Sequence, residues 1–212
     1  WLLQETGAHI HADLIVGLPG EDLASTGVGF DRLLALGPQE IQVNPLKRLR
    51  GTPIIRHEQE WELIFNPEPP YEILRTKQID FPTMQALRRF ARYWNLYGNS
   101  GRFRRCLPLL WMEGGSPFQS LWTFFGWLFE SRGQTHALAL EVLTELLWTH
   151  LTVYLGRATE LVAPALVEDY QRDAARDLPA FLRPFAPESQ WRPLSESGKP
   201  QRLLRQHRHQ QV

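Results

Sequence analysis

Residues 9–22 read HIHADLIVGLPGED, and the alternation in their first half decides the fold. With the period of two that a strand imposes, Ile10, Ala12, Leu14 and Val16 share one face, and His9, His11, Asp13 and Ile15 the other. A central strand of an open doubly wound sheet is covered by helices on both sides and is apolar on both, whereas a barrel strand can turn one face into a functional lumen. One apolar and one largely polar face therefore favour a barrel strand. Gly17, Pro19 and Gly20 end the strand, and a helix is expected over 23–36, with Phe30, Leu33 and Leu34 inward and Gly37 and Pro38 as its stop. EIQVNPL at 40–46 repeats the pattern, with Ile41 and Val43 opposite Glu40, Gln42 and Asn44. The order strand, turn, helix, strand is that of a parallel α/β unit.

Outward from this unit the text changes character. Residues 56–80, with NPEPPYE inside them, read as a connector carrying a short strand at WELIF. After Asp80, a helix cap with Pro82 in the first turn, Met84, Leu87, Phe90, Ala91, Trp94 and Tyr97 recur at helical spacing. A second helix follows Ser116, with Phe118, Leu121, Trp122, Phe125, Leu128 and Phe129 on its apolar side and Arg132 and Gly133 at its end. A third is expected over 135–156, on Leu140, Leu143, Leu147, Leu151 and Tyr154, and a fourth over 164–176. From residue 188 the composition becomes polar and proline-punctuated, the mark of a flexible tail. The expected fold class is thus α/β followed by α, with a barrel-like α/β unit in 1–55, a connector in 56–80, a helical bundle in 81–187 and a tail in 188–212; that 1–55 are the last β/α units of a partial TIM-type barrel is what a family resemblance in the glycine turn implies.

Composition narrows the function classes. Of 212 residues, 43% are hydrophobic and 22% charged, an ordinary globular balance that permits a sizeable core. Lys plus Arg and Asp plus Glu number 23 each, so no overall field draws the chain to nucleic acid or to an anionic membrane. The most apolar stretch, 138–155, is broken by Glu141, Glu145 and His150 and reads as a buried helix, so no membrane association is expected. A single cysteine, Cys106, excludes an internal disulfide framework and any site that needs several thiolates from this chain, and points to a reducing, cytoplasmic compartment.

Chemistry could reside in the glycine turn. Backbone amides at a glycine-rich helix start attract anions, yet neither G-x-G-x-x-G nor G-x-x-x-x-G-K-[ST] is present, and Glu21 and Asp22 would repel phosphate. A tight strand-to-helix turn is the plainer reading. DLIVGLPGE followed by a helix and EIQVNPLKRLRGTPI resembles the fifth and sixth strands of the partial barrel of radical S-adenosylmethionine enzymes, especially the cobalamin-binding branch. That family's fifth strand carries G-x-I-x-G-x-x-E beside the adenine of the cofactor. Ile15 and Gly17 fit two of its positions; Asp13 replaces the first glycine, Gly20 takes the place of the acid, and Glu21 falls one residue late. By the same resemblance Val43, Asn44, Pro45 and Leu46 close the other side of an adenine pocket. Alternation places Ile15 and Leu46 on the lumen side with Asp13, Gln42 and Asn44. The cofactor-binding candidates are accordingly Asp13, Ile15, Gly17, Gln42, Asn44 and Leu46, with no catalytic residue and no metal ligand assigned.

The resemblance implies a parent enzyme using S-adenosylmethionine, a 4Fe-4S cluster and, in this branch, cobalamin, on an unknown substrate. The family holds its cluster with C-x-x-x-C-x-x-C on an early strand loop, which one cysteine cannot replace. The start at Trp1, without methionine or leader, is read as a cut inside a larger domain. The chain is then expected to be inactive and poorly soluble alone, its partner being the missing amino-terminal barrel and cobalamin-binding portion. RRFARYWNLYGNSGRF and the aromatic helix after it are similar to the carboxy-terminal extension of the same branch. The alternative is a non-catalytic helical interaction module, suggested by the Trp and Phe density between Trp111 and Trp148.

Other features read more plainly. His9 and His11 have metal-ligand spacing and could join Asp13, but hydrogen bonding on the strand face is the more ordinary role. His150 reads as a satisfied core histidine and Cys106 as a small buried hydrophobe. Arg88, Arg89, Arg92, Arg102, Arg104 and Arg105, interleaved with aromatics, read as a solvated helix face rather than an RNA surface. His207 and His209 belong to the polar tail.

Overall fold

The computed structural model describes residues 5, 7–172 and 177–187. Strand β1 (His11–Val16) leads through the glycine turn into helix α1 (Leu23–Leu36) and then into β2 (Glu40–Pro45). The two strands pair in parallel, His11 beside Glu40, Asp13 beside Gln42 and Ile15 beside Asn44. Asp22 caps α1: its carboxylate accepts from the Ser25 N–H at 2.7 Å while the Ser25 hydroxyl accepts from the Asp22 N–H at 3.0 Å. Gly37, in the left-handed region, closes the helix as the sequence predicts.

Within the connector, β3 (Ile64–Phe65) falls inside WELIF and pairs antiparallel with β4 (Ile73–Arg75). Helix α2 (Phe81–Trp94) begins at Asp80, whose carboxylate accepts from the Thr83 N–H, and runs into a π turn at Asn95–Asn99. Helix α3 (Pro117–Arg132) starts at Ser116 and ends at Gly133. The beginning of α3 is tied to α1 by Asp31, which accepts from the Ser116 hydroxyl at 2.5 Å and the Phe118 N–H at 2.7 Å.

Two expectations about helix limits change. Helix α4 (Leu140–Thr149) starts five residues after the predicted 135, because the chain reverses through left-handed Gly133 and Ala137 (φ 56°), and Tyr93 donates to the Gln134 carbonyl across that turn. Beyond α4 a second π turn, His150–Tyr154, continues the segment; Tyr154, expected inside, is exposed. Helix α5 (Thr159–Gln171) begins ahead of the expected Pro164, which lies inside it. An interior proline gives up one helical hydrogen bond and crowds the carbonyl four residues back, and the buried Val162, Ala163, Leu166 and Val167 on either side of it hold the helix against the core. The predicted end of that helix and the tail from 188 lie outside the described residues.

The core explains which face of the strand pair is covered. Phe30 of α1 meets Phe90 and Trp94 of α2 edge-on, at centroid distances of 5.3 and 4.9 Å, and Phe118 of α3 at 5.9 Å. Such ring pairs add about 0.5–1.5 kcal/mol each beyond the area they bury. Val16, Ile41 and Val43 join this cluster from the sheet, and it continues without a break to Leu178 and Leu182. A buried polar joint supports the far end: Asp169 accepts the Arg105 and Cys106 N–H groups and pairs with Arg172. Burial pushes the Asp169 carboxyl up, and those donors and the guanidinium pull it back only in part.

Candidate functional site

The side of the strand pair turned away from the core carries polar groups that satisfy one another. Asn44 Nδ2 donates to Asp13 Oδ1 at 3.1 Å, and Gln42 Nε2 donates to Glu40 Oε1 at 3.0 Å. His11 Nδ1 lies 2.8 Å from Glu40 Oε2, and the His9 ring is 4.5 Å from that of His11. These contacts follow from the parallel register, which sets His11, Asp13 and Ile15 beside Glu40, Gln42 and Asn44 on one face. Of the six candidate residues, Asp13, Ile15, Gln42 and Asn44 are brought together on this face.

Gly17 and Leu46 are held differently. Gly17 is buried with φ 88°, and a Cβ there would sit 2.9 Å from Ile73 Cγ2 and 3.0 Å from Met84 Cε. The core therefore approaches so closely that only glycine fits. The Leu46 N–H donates to the Val16 carbonyl, its own carbonyl accepts from Ile73, and its side chain packs against the core. Both residues anchor the carboxy-terminal end of the strand pair. Past that end, the Glu21 carboxyl is pushed up by partial burial, and its Oε2 has no hydrogen-bond partner among the described residues.

A cleft of about 410 Å³ opens beside β2, lined by Gln42 and Asn44 together with Asn95, Asn99 and Ser100. Its size lies within the roughly 300–1,000 Å³ usual for small-molecule sites. Sequence reasoning missed the three residues from the end of α2. The Asn99 amide accepts the Ile41 N–H at 3.1 Å and donates to the Ile41 carbonyl at 2.9 Å, mimicking a neighbouring strand. Glu40 and Leu46 donate toward β1, so Ile41 faces the opposite edge of β2, and Asn99 covers part of that edge. Trp94 Nε1 donates to the same carbonyl at 2.9 Å. The visible signal was NLYGNS, a polar interruption of the apolar period; it forms a π turn, a feature frequent at functional sites.

Other candidates resolve into packing. Cys106 is buried, and burial, with the nearby Asp169 charge, holds its thiol well above the usual range, so it is a hydrophobe and not a ligand. A 4Fe-4S cluster does not fit the cysteine content of this chain. Arg88 pairs with Glu72, Arg105 with Glu168, and Arg89 lies 4.3 Å over the Phe129 ring. His150 differs from its expected satisfied state: it is buried among Phe124, Trp127 and Tyr154, and its Nδ1 has no hydrogen-bond partner among the described residues. Desolvation lowers its pKa from 6.5 to about 4.

The described residues thus form a mixed α/β protein with five α-helices and two small two-stranded sheets, its polar cleft beside the parallel pair. The chain belongs to the family described as "Protein of unknown function (DUF4080)", which matches residues 59–207. No curated protein and no solved structure matches it. The family match begins after β2, so the strand pair lies outside it. Among the described residues no helix is long and apolar enough to cross a membrane.

Proposed function

We propose that this chain is the carboxy-terminal portion of a radical S-adenosylmethionine protein of the cobalamin-binding type, in which β1 and β2 are the last strands of a partial barrel and the helices form its cap. The observation that carries the reading is the two-faced parallel pair, apolar toward the helices and polar on the side that a barrel would enclose. Its two edges differ in a supporting way. Asn99 occupies part of the outer edge of β2, while no strand among the described residues lies on the other side of β1. The family match covers the helical text that resembles the extension of the cobalamin-binding branch.

In this reading Ile15 offers an apolar flank to the adenine, and Gln42 and Asn44 offer amides at its polar rim. Asp13 holds Asn44 in place through its 3.1 Å hydrogen bond. Gly17 keeps the end of β1 close against Ile73 and Met84, which sets the height of the turn. The cofactor and its cluster, bound by cysteines outside this chain, supply one-electron cleavage chemistry. The parent in this reading is a cytoplasmic enzyme.

The aromatic density that suggested an interaction module has a simpler account, since Phe118, Phe124 and Phe125 are buried in the core. The test is the longer polypeptide that encodes this chain. A C-x-x-x-C-x-x-C motif upstream, anaerobic reconstitution of a four-iron cluster and cleavage of S-adenosylmethionine are expected, with Ile15→Asp weakening cofactor binding at unchanged iron content. A natural start codon without such a motif overturns the reading.

A further inference from the structure

We propose that His9, His11 and Glu40 form a binding site for a divalent transition ion of the zinc class at the amino-terminal end of the strand pair. One ligand atom from each of the three lies within 4.8 Å of the others, and this is the only such group of three among the described residues. The start of β1 builds it. His9, just ahead of the strand, brings its ring to 4.5 Å from that of His11, and the parallel register sets Glu40 directly beside His11. Asp13, the partner that spacing alone suggested, is engaged by Asn44 instead.

Two further observations distinguish this group from a chance surface cluster. His11 Nδ1 and Glu40 Oε2 are already 2.8 Å apart, and Glu40 Oε1 is held by Gln42 Nε2 at 3.0 Å. One carboxylate oxygen thus faces the His11 ring while the other is fixed by a neighbouring donor, and such a second donor is what orients ligating carboxylates generally. Zinc bonds of about 2.0–2.1 Å at tetrahedral angles separate ligand atoms by roughly 3.3 Å. Closing from 4.8 Å requires the imidazoles to swing by about 1 Å, and both are exposed, so no core packing opposes the movement. Two nitrogens and one carboxylate oxygen leave a fourth position for water or for a donor from another molecule. The three ligands lie at the opposite end of the strands from the Gly17 turn and none is an adenine candidate, so the site does not depend on that reading; Gln42 alone is shared by the two.

The experiment is calorimetric titration of the 212-residue chain with Zn²⁺ after chelation and dialysis, alongside Co²⁺ absorption to report coordination. One ion per chain is expected at this site, with His9→Ala, His11→Ala and Glu40→Ala each weakening binding by at least about 10-fold, and Gln42→Ala by about 10-fold through Glu40 alone. His57→Ala and His136→Ala control for exposed histidines elsewhere and are expected to leave affinity unchanged. Far-ultraviolet circular dichroism in chelator verifies that each variant is folded. Absence of Zn²⁺ binding in the parent chain, or binding unchanged in the His9, His11 and Glu40 variants, overturns the proposal. Loss of stability in His11→Ala without any metal binding also overturns it, and leaves a plain His11–Glu40 ion pair.

Discussion

The two faces of one strand pair are made from alternate residues of the same two six-residue strands, yet they obey different rules. Ile41, Val43 and Val16 enter an aromatic core in which every neighbour is fixed by packing. His11, Asp13, Glu40, Gln42 and Asn44, one residue away along the chain, are half-buried or exposed; Asn44 donates to Asp13, and Gln42 and His11 both meet Glu40. The same backbone thus supports both stability and chemistry, and the period of two keeps them apart. Damage on one side is expected to unfold the protein; damage on the other is expected to alter binding.

Phe90→Ala is the strongest way to break this division. Phe90 is fully buried against Phe30, Phe118 and Phe125, and its loss is expected to cost about 3–5 kcal/mol in urea unfolding. A cost near that of an ordinary surface change would show that the core is not what holds the sheet. Asn99→Ala probes the seam between the two sides. It leaves the Ile41 N–H without its amide partner and is expected to cost about 1–3 kcal/mol, with increased hydrogen exchange at Ile41 as the local readout.

Acid tests the helical core, away from the strand pair. His150 binds its proton far less readily folded than unfolded, with its pKa lowered from 6.5 to about 4 by burial. The unfolded chain therefore takes up the proton first: this contribution is intact above about pH 6.5 and is lost progressively as pH falls toward 4. His150→Phe is expected to flatten that part of the stability profile, and an unchanged slope would place the acid sensitivity elsewhere. At the small end, Gln42→Ala and Asn44→Ala on the polar face are expected to change stability by no more than about 0.5 kcal/mol, as solvent-facing positions do. A large loss there would mean that the polar network is structural after all.

Much of the architecture was legible locally. Asp22, Asp80 and Ser116 mark three helix starts because a short polar side chain can accept an N–H that the helix cannot use, and Gly37 and Gly133 mark two ends because only glycine enters the left-handed region cheaply. The segment 135–139 was misread as helix because its composition has no strong breaker; tertiary reversal through Ala137 decided it. At the site, alternation predicted which face of its own strand each of Asp13, Ile15, Gln42 and Asn44 takes, since the period of two within a strand is a local property. It could not supply Asn95, Asn99 and Ser100, which reach the cleft from more than fifty residues away by the docking of α2 on β2.

By itself, then, the sequence determined the two-faced strands, the caps and the absence of a cysteine set for a cluster, because each depends on residue type and short spacing. Tertiary structure decided that Gly17 is required by the approach of Ile73 and Met84. It also decided that Glu40, not Asp13, stands beside His11. Contacts between distant segments are chosen by packing of the whole core, and no short-range pattern encodes which polar atoms that packing leaves face to face.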